Sequence, residues 1–223
     1  MPNTKTKMET SRDLEKDTGG NIFWEIAKTV GGILLFLLIF RFYIFQPFSI
    51  KGSSMEPNFH DGEYLIVNEF TYNFAGPARG DVVVFRHPEP ACTDFIDKGY
   101  LQQKFFADNP SLGGPCNDYI KRVIGLPGET VTIKDGKVSI KNDKNPEGFT
   151  LDEKYLASGI PTLGNQSITL AKDEYYVIGD NRNPNASSDS REWGPLPRKN
   201  IVGKAFTILL PFDRFQVVKN PSY

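Results

Sequence analysis

The longest apolar run in the chain lies close to its N-terminus. Between Val30 and Phe40 only two glycines interrupt the apolar side chains, and the apolar pattern resumes after Arg41. Residues 24–45 are therefore about as long as the roughly 20 residues that cross a hydrocarbon core about 30 Å thick. The pattern predicts a single transmembrane helix that anchors the protein.

A cleaved secretory signal is the alternative interpretation of this run, because its uninterrupted apolar core is short. Such a signal needs small residues before its cleavage site, and the first small residues after the run are Gly52-Ser53-Ser54. An uncleaved anchor is therefore favoured. Lysine and arginine are more frequent before the run than just after it. This bias predicts a cytoplasmic tail at residues 1–23 and an ectodomain at residues 46–223 on the outer side of the membrane.

Beyond residue 46 the pattern shortens to runs of strand length, rich in β-branched and aromatic residues. These runs cover residues 64–67, 81–85, 131–134, 137–140, 174–178 and 204–210. Alternation with period two on both sides of Asp135-Gly136 predicts a hairpin, because this dipeptide accepts the positive φ of a tight turn. No run after the predicted anchor has helical periodicity. The sequence predicts a mainly β ectodomain, with a small inserted β lobe at about residues 129–171.

A loop rich in glycine, proline and asparagine interrupts the strand pattern at residues 91–117 and contains both cysteines of the chain, Cys92 and Cys116. In an oxidising compartment a disulfide between them would stabilise the fold by roughly 3 kcal/mol. Two free thiols agree with the spacing equally well, since sequence separation does not settle the geometry. Both alternatives stay open.

Composition excludes several classes of function. A net charge of −1 gives no basic surface for nucleic acid. The two histidines, His60 and His87, lie far apart and lack the spacing of metal ligands, so neither a zinc site nor a Ser-His-Asp triad is expected. The sequence predicts no metal and no cofactor.

A serine stands shortly after the predicted anchor, in the string Gly52-Ser53-Ser54 that Pro57 follows. Glycine allows a backbone to approach a ligand closely, and proline restricts the residue before it. A polar turn between the anchor and the first strand explains this string as well as a nucleophile does.

Lys121 shifts the balance towards catalysis. It lies in an apolar run typical of a strand, and alternation places it on one face with Tyr119 and Val123. If that face is buried, the pKa of the lysine would fall from about 10.4 to near 8, a differential of roughly 3 kcal/mol. A neutral amine is the species that takes a proton from a serine hydroxyl. The alternative is that Lys121 points to water while Arg122 points inward, or that both pair with carboxylates.

A third polar string runs from Gly179 to Arg191. It is either a surface loop, whose ion pairs contribute little, or a support for the site. In the second interpretation a serine hydroxyl orients the lysine amine, and Asp189 holds the loop together with Arg182 or Arg191.

In this order behind one anchor, the strings resemble bacterial signal peptidase I. The resemblance extends from the anchor to about Pro211 and rests on four stretches, at residues 46–57, 79–85, 119–128 and 179–191. It implies a fold of coiled antiparallel β-sheets, shared with the self-cleaving SOS repressors, with a β insertion after the lysine motif. The chain departs from the family at Asn58-Phe59, where Thr-Leu is usual.

The resemblance also implies roles for individual residues. Ser54 is the expected nucleophile, Lys121 the general base and Ser187 the serine that orients it, with Gly52 and Ser53 near the oxyanion. The expected lining of the pockets for small substrate side chains is Phe48, Ile50, Met55, Phe59, Asp118, Tyr119 and Ile120. The expected structural residues are Asp180, Arg182, Asp189 and Arg191.

The implied function is the removal of signal peptides from exported preproteins by a serine endopeptidase at the outer face of a bacterial plasma membrane. The expected partners are preproteins with small residues three and one positions before the cut, and the lipid bilayer, but no nucleic acid. A self-cleaving repressor fits less well, because those proteins are soluble and carry a DNA-binding part. An inactive, membrane-tethered β module that binds exported chains is the alternative from another class.

Overall fold

The computed structural model describes residues 22–37, 45–97 and 116–223. Residues 22–37 form helix α1. In these three ranges no helix has both the length and the apolarity to cross a membrane. Most of the predicted tail, residues 1–21, and residues 38–44 of the predicted anchor lie outside the described residues.

The chain divides into two compact units, residues 1–44 and residues 45–223. The described residues of the second unit form twelve strands: β1 (Phe45–Ser49), β2 (Tyr64–Asn68), β3 (Val82–Arg86), β4 (Asp118–Gly125), β5 (Thr130–Lys134), β6 (Lys137–Asn142), β7 (Asn145–Thr150), β8 (Gln166–Thr169), β9 (Glu174–Ile178), β10 (Leu196–Pro197), β11 (Ile201–Leu210) and β12 (Gln216–Val217). The same described residues form two short α-helices, α2 (Pro90–Ile96) and α3 (Ser190–Trp193), and three single-turn 3-10 helices at Thr71–Asn73, Arg198–Asn200 and Phe212–Arg214.

The strands form two antiparallel sheets. The larger sheet has the order β1-β2-β11-β3-β4-β9-β10, with β12 paired to β11, and the smaller has the order β7-β6-β5-β8. The smaller sheet comes wholly from the segment predicted to form an inserted lobe. The prediction of a mainly β fold is confirmed.

The β5–β6 hairpin follows from its local sequence. Asp135 and Gly136 have φ of 51° and 76°, which is the tight turn that this dipeptide favours. Val131 and Ile133 on β5, with Val138 on β6, point to the same side and form the core of the smaller sheet. The polar alternates on these strands face outward.

The expectation of no helix beyond the anchor was wrong for two short segments. Helix α2 begins with a proline in its first turn, where the missing N–H is not needed for a helical hydrogen bond. Asp189 caps α3, and its side chain accepts a hydrogen bond from the N–H of Arg191. Both helices are too short for an apolar period to show in the sequence.

Strand β3 is buried on both faces and this burial positions the site. Val82 and Val84 pack in one apolar cluster, whereas Val83 and Phe85 pack in another on the opposite face. Strand β4 pairs with β3, and Lys121 lies directly opposite Val83. The lysine therefore lies in a region of the sheet from which water is excluded on both sides.

Candidate active site

Ser54 lies in a tight turn between β1 and β2. The turn is closed by a hydrogen bond from the N–H of Phe59 to the carbonyl of Met55, at 3.0 Å. Met55 and Phe59 are almost fully buried and pack in the same core cluster as Ile50. Because apolar side chains on either side of the serine are fixed in the core, the half-buried serine has a fixed direction.

The side chain of Lys121 reaches this turn from β4. Its Nζ lies 2.7 Å from Oγ of Ser54 and donates a hydrogen bond of 2.8 Å to the carbonyl of Ile120. Nζ is also 5.5 Å from the centroid of the Tyr119 ring. Only 4% of the residue is exposed. The Lys121 amine therefore has few polar neighbours, and both of its hydrogen-bond partners are uncharged.

Burial lowers the pKa of Lys121 to about 8. The carboxylates of Asp189 and Asp180 oppose this shift, and the guanidinium of Arg191 adds to it. About a tenth of the amine is thus unprotonated at pH 7, and about half at pH 8. An unprotonated amine at hydrogen-bond distance from a hydroxyl can act as a general base.

The adjacent residue Arg122 is buried on the opposite face of β4. Its Nε and Nη2 donate to the two carboxylate oxygens of Asp180, at 2.8 and 2.6 Å. Asn58, in the turn that follows Ser54, donates to the same carboxylate at 2.8 Å. The sequence left open whether Lys121 points to water. In the structure both Lys121 and Arg122 are buried, and of the two only Arg122 forms a bidentate ion pair.

The third polar string packs against the serine turn. The N–H of Asn181 donates to the carbonyl of Ser54, and its side-chain amide donates to the carbonyl of Ser53, both at 3.0 Å. A Cβ on Gly179 would collide with Ser187 and with the carbonyl of Ser54. Glycine at this position therefore lets the string lie directly against the turn that contains Ser54.

Ser187 lies beside this glycine, and its hydroxyl donates to Asp189 at 2.7 Å. The hydrogen bonds of the Lys121 amine run to Ser54 and Ile120 instead. The orienting role of Ser187 stays a prediction.

The predicted structural residues pair selectively. Asp189 binds Arg191, at 2.8 Å, whereas Arg182 binds Glu153 at 2.6 Å and the carbonyl of Gly179 at 2.9 Å. Arg182 and Arg191 were both candidates for the ion pair with Asp189, and the structure shows that Arg191 forms it. Arg182 instead joins the string to the segment after β7.

Two residues expected near the oxyanion differ in their contacts. The N–H of Gly52, which has φ of +89°, donates to the carboxylate of Asp61 at 2.6 Å and so shapes the turn. Ser53 is exposed, and its carbonyl accepts from Glu56 and Asn181. Among the described residues nothing accepts from the N–H of Ser54, so this donor is available to an oxyanion.

A cleft of about 760 Å³ opens at Ser54 and Lys121, the pair that we call the dyad. Four of the predicted pocket residues line it, together with Ser54 and Lys121: Phe48, Asp118, Tyr119 and Ile120. The other three, Ile50, Met55 and Phe59, lie in the core behind the cleft. Ser188 also lines the cleft.

Two strand edges border this cleft. Strand β1 has β2 as its single neighbour among the described strands, and the Asp118–Lys121 part of β4 pairs there with β3 alone. Strand β9 begins to pair with β4 at Arg122. The backbone groups on both edges can therefore receive an extended peptide.

The cysteines are joined. Cys92 on α2 and Cys116 just before β4 form a disulfide, and Cys116 lines the cleft. The bond connects a helix to the start of the strand that carries the lysine. Within the described residues no group of three or more His, Cys, Asp or Glu could hold a metal ion.

Sequence reasoning assigned no individual contact to four residues that organise the site: Asn58, Asp61, Gly179 and Asn181. Gly179 and Asn181 were noted only as part of the third polar string, and Asn58 only as a departure from the family. Each makes its contact through the backbone of the serine turn or through Asp180, at a large separation along the chain for three of them. A glycine within a polar string gives no sign of which distant atom it must admit. Only Asp61, close in sequence to the serine, offered a local signal as an acceptor in a turn.

A hydroxyl and a desolvated amine in contact, beside free strand edges, are the groups required by a serine endopeptidase that uses a lysine base. The chain belongs to the family described as signal peptidase, peptidase S26, whose model matches residues 23–210. The predicted family and its enzyme class, a serine endopeptidase, are thereby confirmed.

Relatives agree with this membership over most of their length. The chain is 37% identical over 200 residues to a signal peptidase I of Leptolyngbya laminosa, covering 89% of this chain and 86% of the relative. It is 30% identical over 210 residues to signal peptidase IB of Staphylococcus aureus (strain MRSA252), covering 89% and 94%. A crystal structure of a signal peptidase I from Enterococcus faecalis V583 aligns with a TM-score of 0.38 and 23% identity, over 58% of this chain and 97% of that chain.

Proposed function

We propose that this chain removes signal peptides from exported preproteins, with Ser54 as nucleophile and Lys121 as general base. The observation that carries the proposal is the distance of 2.7 Å between Oγ and Nζ, at an amine that burial keeps partly neutral. The relatives named signal peptidase I support the substrate class.

The reaction begins when neutral Lys121 takes the proton of Ser54 and Oγ attacks the carbonyl carbon before the cut. The N–H of Ser54 donates to the oxyanion that forms, and one such donor contributes about 3 kcal/mol to lowering the barrier. The lysine ammonium then gives its proton to the leaving amine, which departs with the mature protein. The signal peptide stays bound as an ester of Ser54.

A water molecule completes the cycle. Lys121, again neutral, takes a proton from this water, which attacks the ester carbonyl. When the second tetrahedral intermediate collapses, the serine oxygen leaves and recovers the proton from the lysine. The same amine acts as base and acid in both halves, so its pKa of about 8 suits both directions of proton transfer.

The substrate binds as an added strand along the cleft. The free edges of β1 and of Asp118–Lys121 offer backbone donors and acceptors, and alternate side chains of an extended peptide point into the cleft wall. Because Phe48, Tyr119 and Ile120 occupy that wall, the pockets suit small side chains three and one positions before the cut.

The proposed location is the outer face of a bacterial plasma membrane, with residues 24–45 as anchor and residues 46–223 as catalytic domain. The apolar run and the excess of cations before it support this assignment. The short stretch between Phe45 and Ser54 reaches at most about 30 Å even when extended. Such a tether raises the effective concentration of the nucleophile for a membrane-borne substrate.

The experiment uses the full chain reconstituted in lipid vesicles with a purified preprotein. We expect cleavage after a small residue, lost in Ser54→Ala and in Lys121→Ala and insensitive to EDTA. Ser158→Ala and Lys137→Ala, at exposed positions away from the cleft, are the matched controls and should retain activity. Binding of the preprotein without any product would instead favour the inactive β module.

A further inference from the structure

The last residues of the chain contact the large sheet behind the proposed dyad. We call residues 220–223 the strap; they lie beyond the part that the family model matches, residues 23–210. Asn220 begins the strap, and its side-chain amide donates to the carboxylate of Asp81 at 2.5 Å. Pro221 and Tyr223 lie over Gly80, where an added Cβ would come within 2.9 Å of the proline and 3.2 Å of the tyrosine.

Beneath the strap lies the guanidinium of Arg122. The carbonyl of Gly80 accepts from Nη1 of this arginine at 2.8 Å. The guanidinium carbon stacks 4.3 Å from the ring centroid of Tyr155, and the ring of Tyr223 packs edge-on against that ring at 6.2 Å. The arginine is 3% exposed. A cavity lined by Arg122, Tyr155, Asn220 and Pro221 lies beside the guanidinium, and Tyr223, itself 38% exposed, covers part of the residue together with Gly80 and Tyr155.

The covered ion pair connects the two halves of the dyad. Arg122 follows Lys121 along β4, and Asp180 accepts both from Arg122 and from Asn58 in the serine turn. An ion pair in a dry setting holds its partners more strongly than one in water. Hydration of Asp180 would therefore loosen the connection between the serine turn and the lysine strand.

We propose that the strap positions Ser54 against Lys121 by keeping the Arg122–Asp180 pair dry, with Tyr223 and Asn220 as positioning residues. The proposal rests on the proposed function, because it assigns the strap to the same dyad. No strap residue lines the cleft of the dyad, so the strap acts through the sheet and not through the substrate. A misplacement of about 1 Å between reacting groups can reduce a rate by about 10²-fold.

The test compares Tyr223→Ala with the parent chain in vesicles, at a temperature well below the unfolding of both. We expect kcat to fall about tenfold with KM unchanged, because the substrate cleft is intact while the dyad is loosened. Tyr223→Phe keeps the ring over Gly80 and Tyr155 and should restore kcat. Phe74→Ala removes an aromatic ring that is 77% exposed and should leave kcat unchanged.

The pH profile gives a second readout. The charged groups that act on Lys121 are Asp189, Asp180 and Arg191, and burial is the largest cause of its low pKa. Loosening admits water to the amine, so in Tyr223→Ala the acid limb of kcat/KM should move to higher pH. Asn220→Ala removes the hydrogen bond to Asp81 and keeps the ring of Tyr223, so it should shift the acid limb in the same direction by a smaller amount. This variant replaces Tyr223→Ala in the test if Tyr223→Ala does not fold.

A lower unfolding temperature with unchanged kcat and an unchanged acid limb would overturn the proposal, since it would make the strap a stabilising element alone. An increase in KM at constant kcat would overturn it as well, because that result would place the strap in substrate binding. Full activity of Ser54→Ala or Lys121→Ala in the same assay would contradict the proposed function itself, which keeps the two failures distinct.

Discussion

Lys121 occupies a setting that disfavours its charged form. The amine has one hydroxyl and one carbonyl within hydrogen-bond distance, and burial lowers its pKa from 10.5 to about 8. Alternation in the sequence placed Lys121 and Arg122 on opposite faces but did not decide which face was dry. Strand β3 is buried on both faces, and because β4 pairs with it, both faces of β4 are shielded from water there. The sequence identified Ser54 and Lys121 as candidates, but the burial that lowers the pKa of Lys121 comes from tertiary packing.

Replacement of Lys121 by methionine should stabilise the protein while abolishing activity. Between pH 8 and 10.5 the unfolded lysine binds a proton that the folded one has lost, so the stability of the parent chain rises with pH across this window. Below pH 8 the full penalty, about 3 kcal/mol, is present. Lys121→Met should therefore be more stable at pH 7 by up to about 3 kcal/mol, and the gain should vanish near pH 10.5. Chemical denaturation in detergent at both pH values measures this difference.

Lys137→Met is the matched control, because this lysine is exposed on the β5–β6 hairpin. Its free energy of unfolding should differ little from that of the parent at either pH. Equal effects of the two substitutions would show that burial does not perturb Lys121.

Gly179→Ala should disable the site without unfolding the chain. The backbone at this residue is ordinary, so an alanine is not strained in itself, but its Cβ would meet Ser187 and the carbonyl of Ser54. The collision displaces the serine turn, and displacement of about 1 Å can cost about 10²-fold in rate. Steady-state kinetics should show the loss in kcat, and circular dichroism should show an unchanged sheet signal. A variant with parental kcat would mean that the turn relaxes freely.

At the scale of elements, β4 serves two purposes at once. Its first half pairs with β3 and offers a free edge to the cleft, and its second half, from Arg122 onward, pairs with β9. The change from β3 to β9 as neighbour falls at Arg122, next to the lysine. Local sequence predicted seven of the strands, β2 to β6, β9 and β11, and the Asp135-Gly136 hairpin, because period two and turn chemistry are local properties. Strands β1, β7, β8, β10 and β12 were not predicted. Helix α2 was missed, because seven residues cannot display a helical period.

Reduction of the disulfide should impair substrate binding more than chemistry. Cys116 stands at the start of β4 and lines the cleft, whereas the lysine lies farther along the strand in the buried part of the sheet. A dithiol reagent should therefore raise KM with a smaller change in kcat, and the free energy of unfolding should fall by roughly 3 kcal/mol. Kinetics with and without the reagent measure the first effect, and denaturation measures the second.

The double substitution Cys92→Ala and Cys116→Ala is the control for this experiment. It should reproduce the higher KM and should not respond to the reagent. A parent enzyme whose KM is the same in both redox states would contradict the placement of this cleft wall by the disulfide.

At the scale of the whole molecule, the site is assembled from segments far apart in sequence. The serine turn, the lysine strand and the string from Gly179 to Arg191 meet only because the large sheet brings β1, β4 and β9 around one cleft. The motifs indicated the residues that are proposed to carry the chemistry. They gave no distances, and they did not show that Asp180 would join Asn58 to Arg122, because such contacts depend on tertiary packing.

Asp81 is a second junction of distant segments and predicts a response to acid. Its carboxylate accepts from Tyr72, Lys204 and Asn220. Burial alone would raise the pKa of Asp81, but these hydrogen bonds and that of the Ala78 N–H outweigh it and hold the pKa below its ordinary value. The resulting stability is present above the unfolded pKa of about 3.9 and is lost as the pH falls through the folded value.

Asp81→Asn should therefore lower the free energy of unfolding at pH 7 by about 1–3 kcal/mol. Between pH 4 and pH 2 the loss should shrink, because the parent gives up the same stabilisation. Urea titrations across this range measure both curves. Parallel curves for parent and variant would contradict the assignment of the acid response to this carboxylate.

The open edges of β1 and β4 have a consequence for the timing of secretion. In the proposed strand addition, these edges pair only with a peptide whose backbone N–H and C=O groups are free to form hydrogen bonds. In a helix or inside a sheet those groups already have partners. If the folded structure of the exported protein included its N-terminal residues, the bond to be cut would be inaccessible. Cleavage is therefore expected to occur before the exported protein folds. Otherwise its N-terminal residues must stay extended long enough to bind beside Ser54.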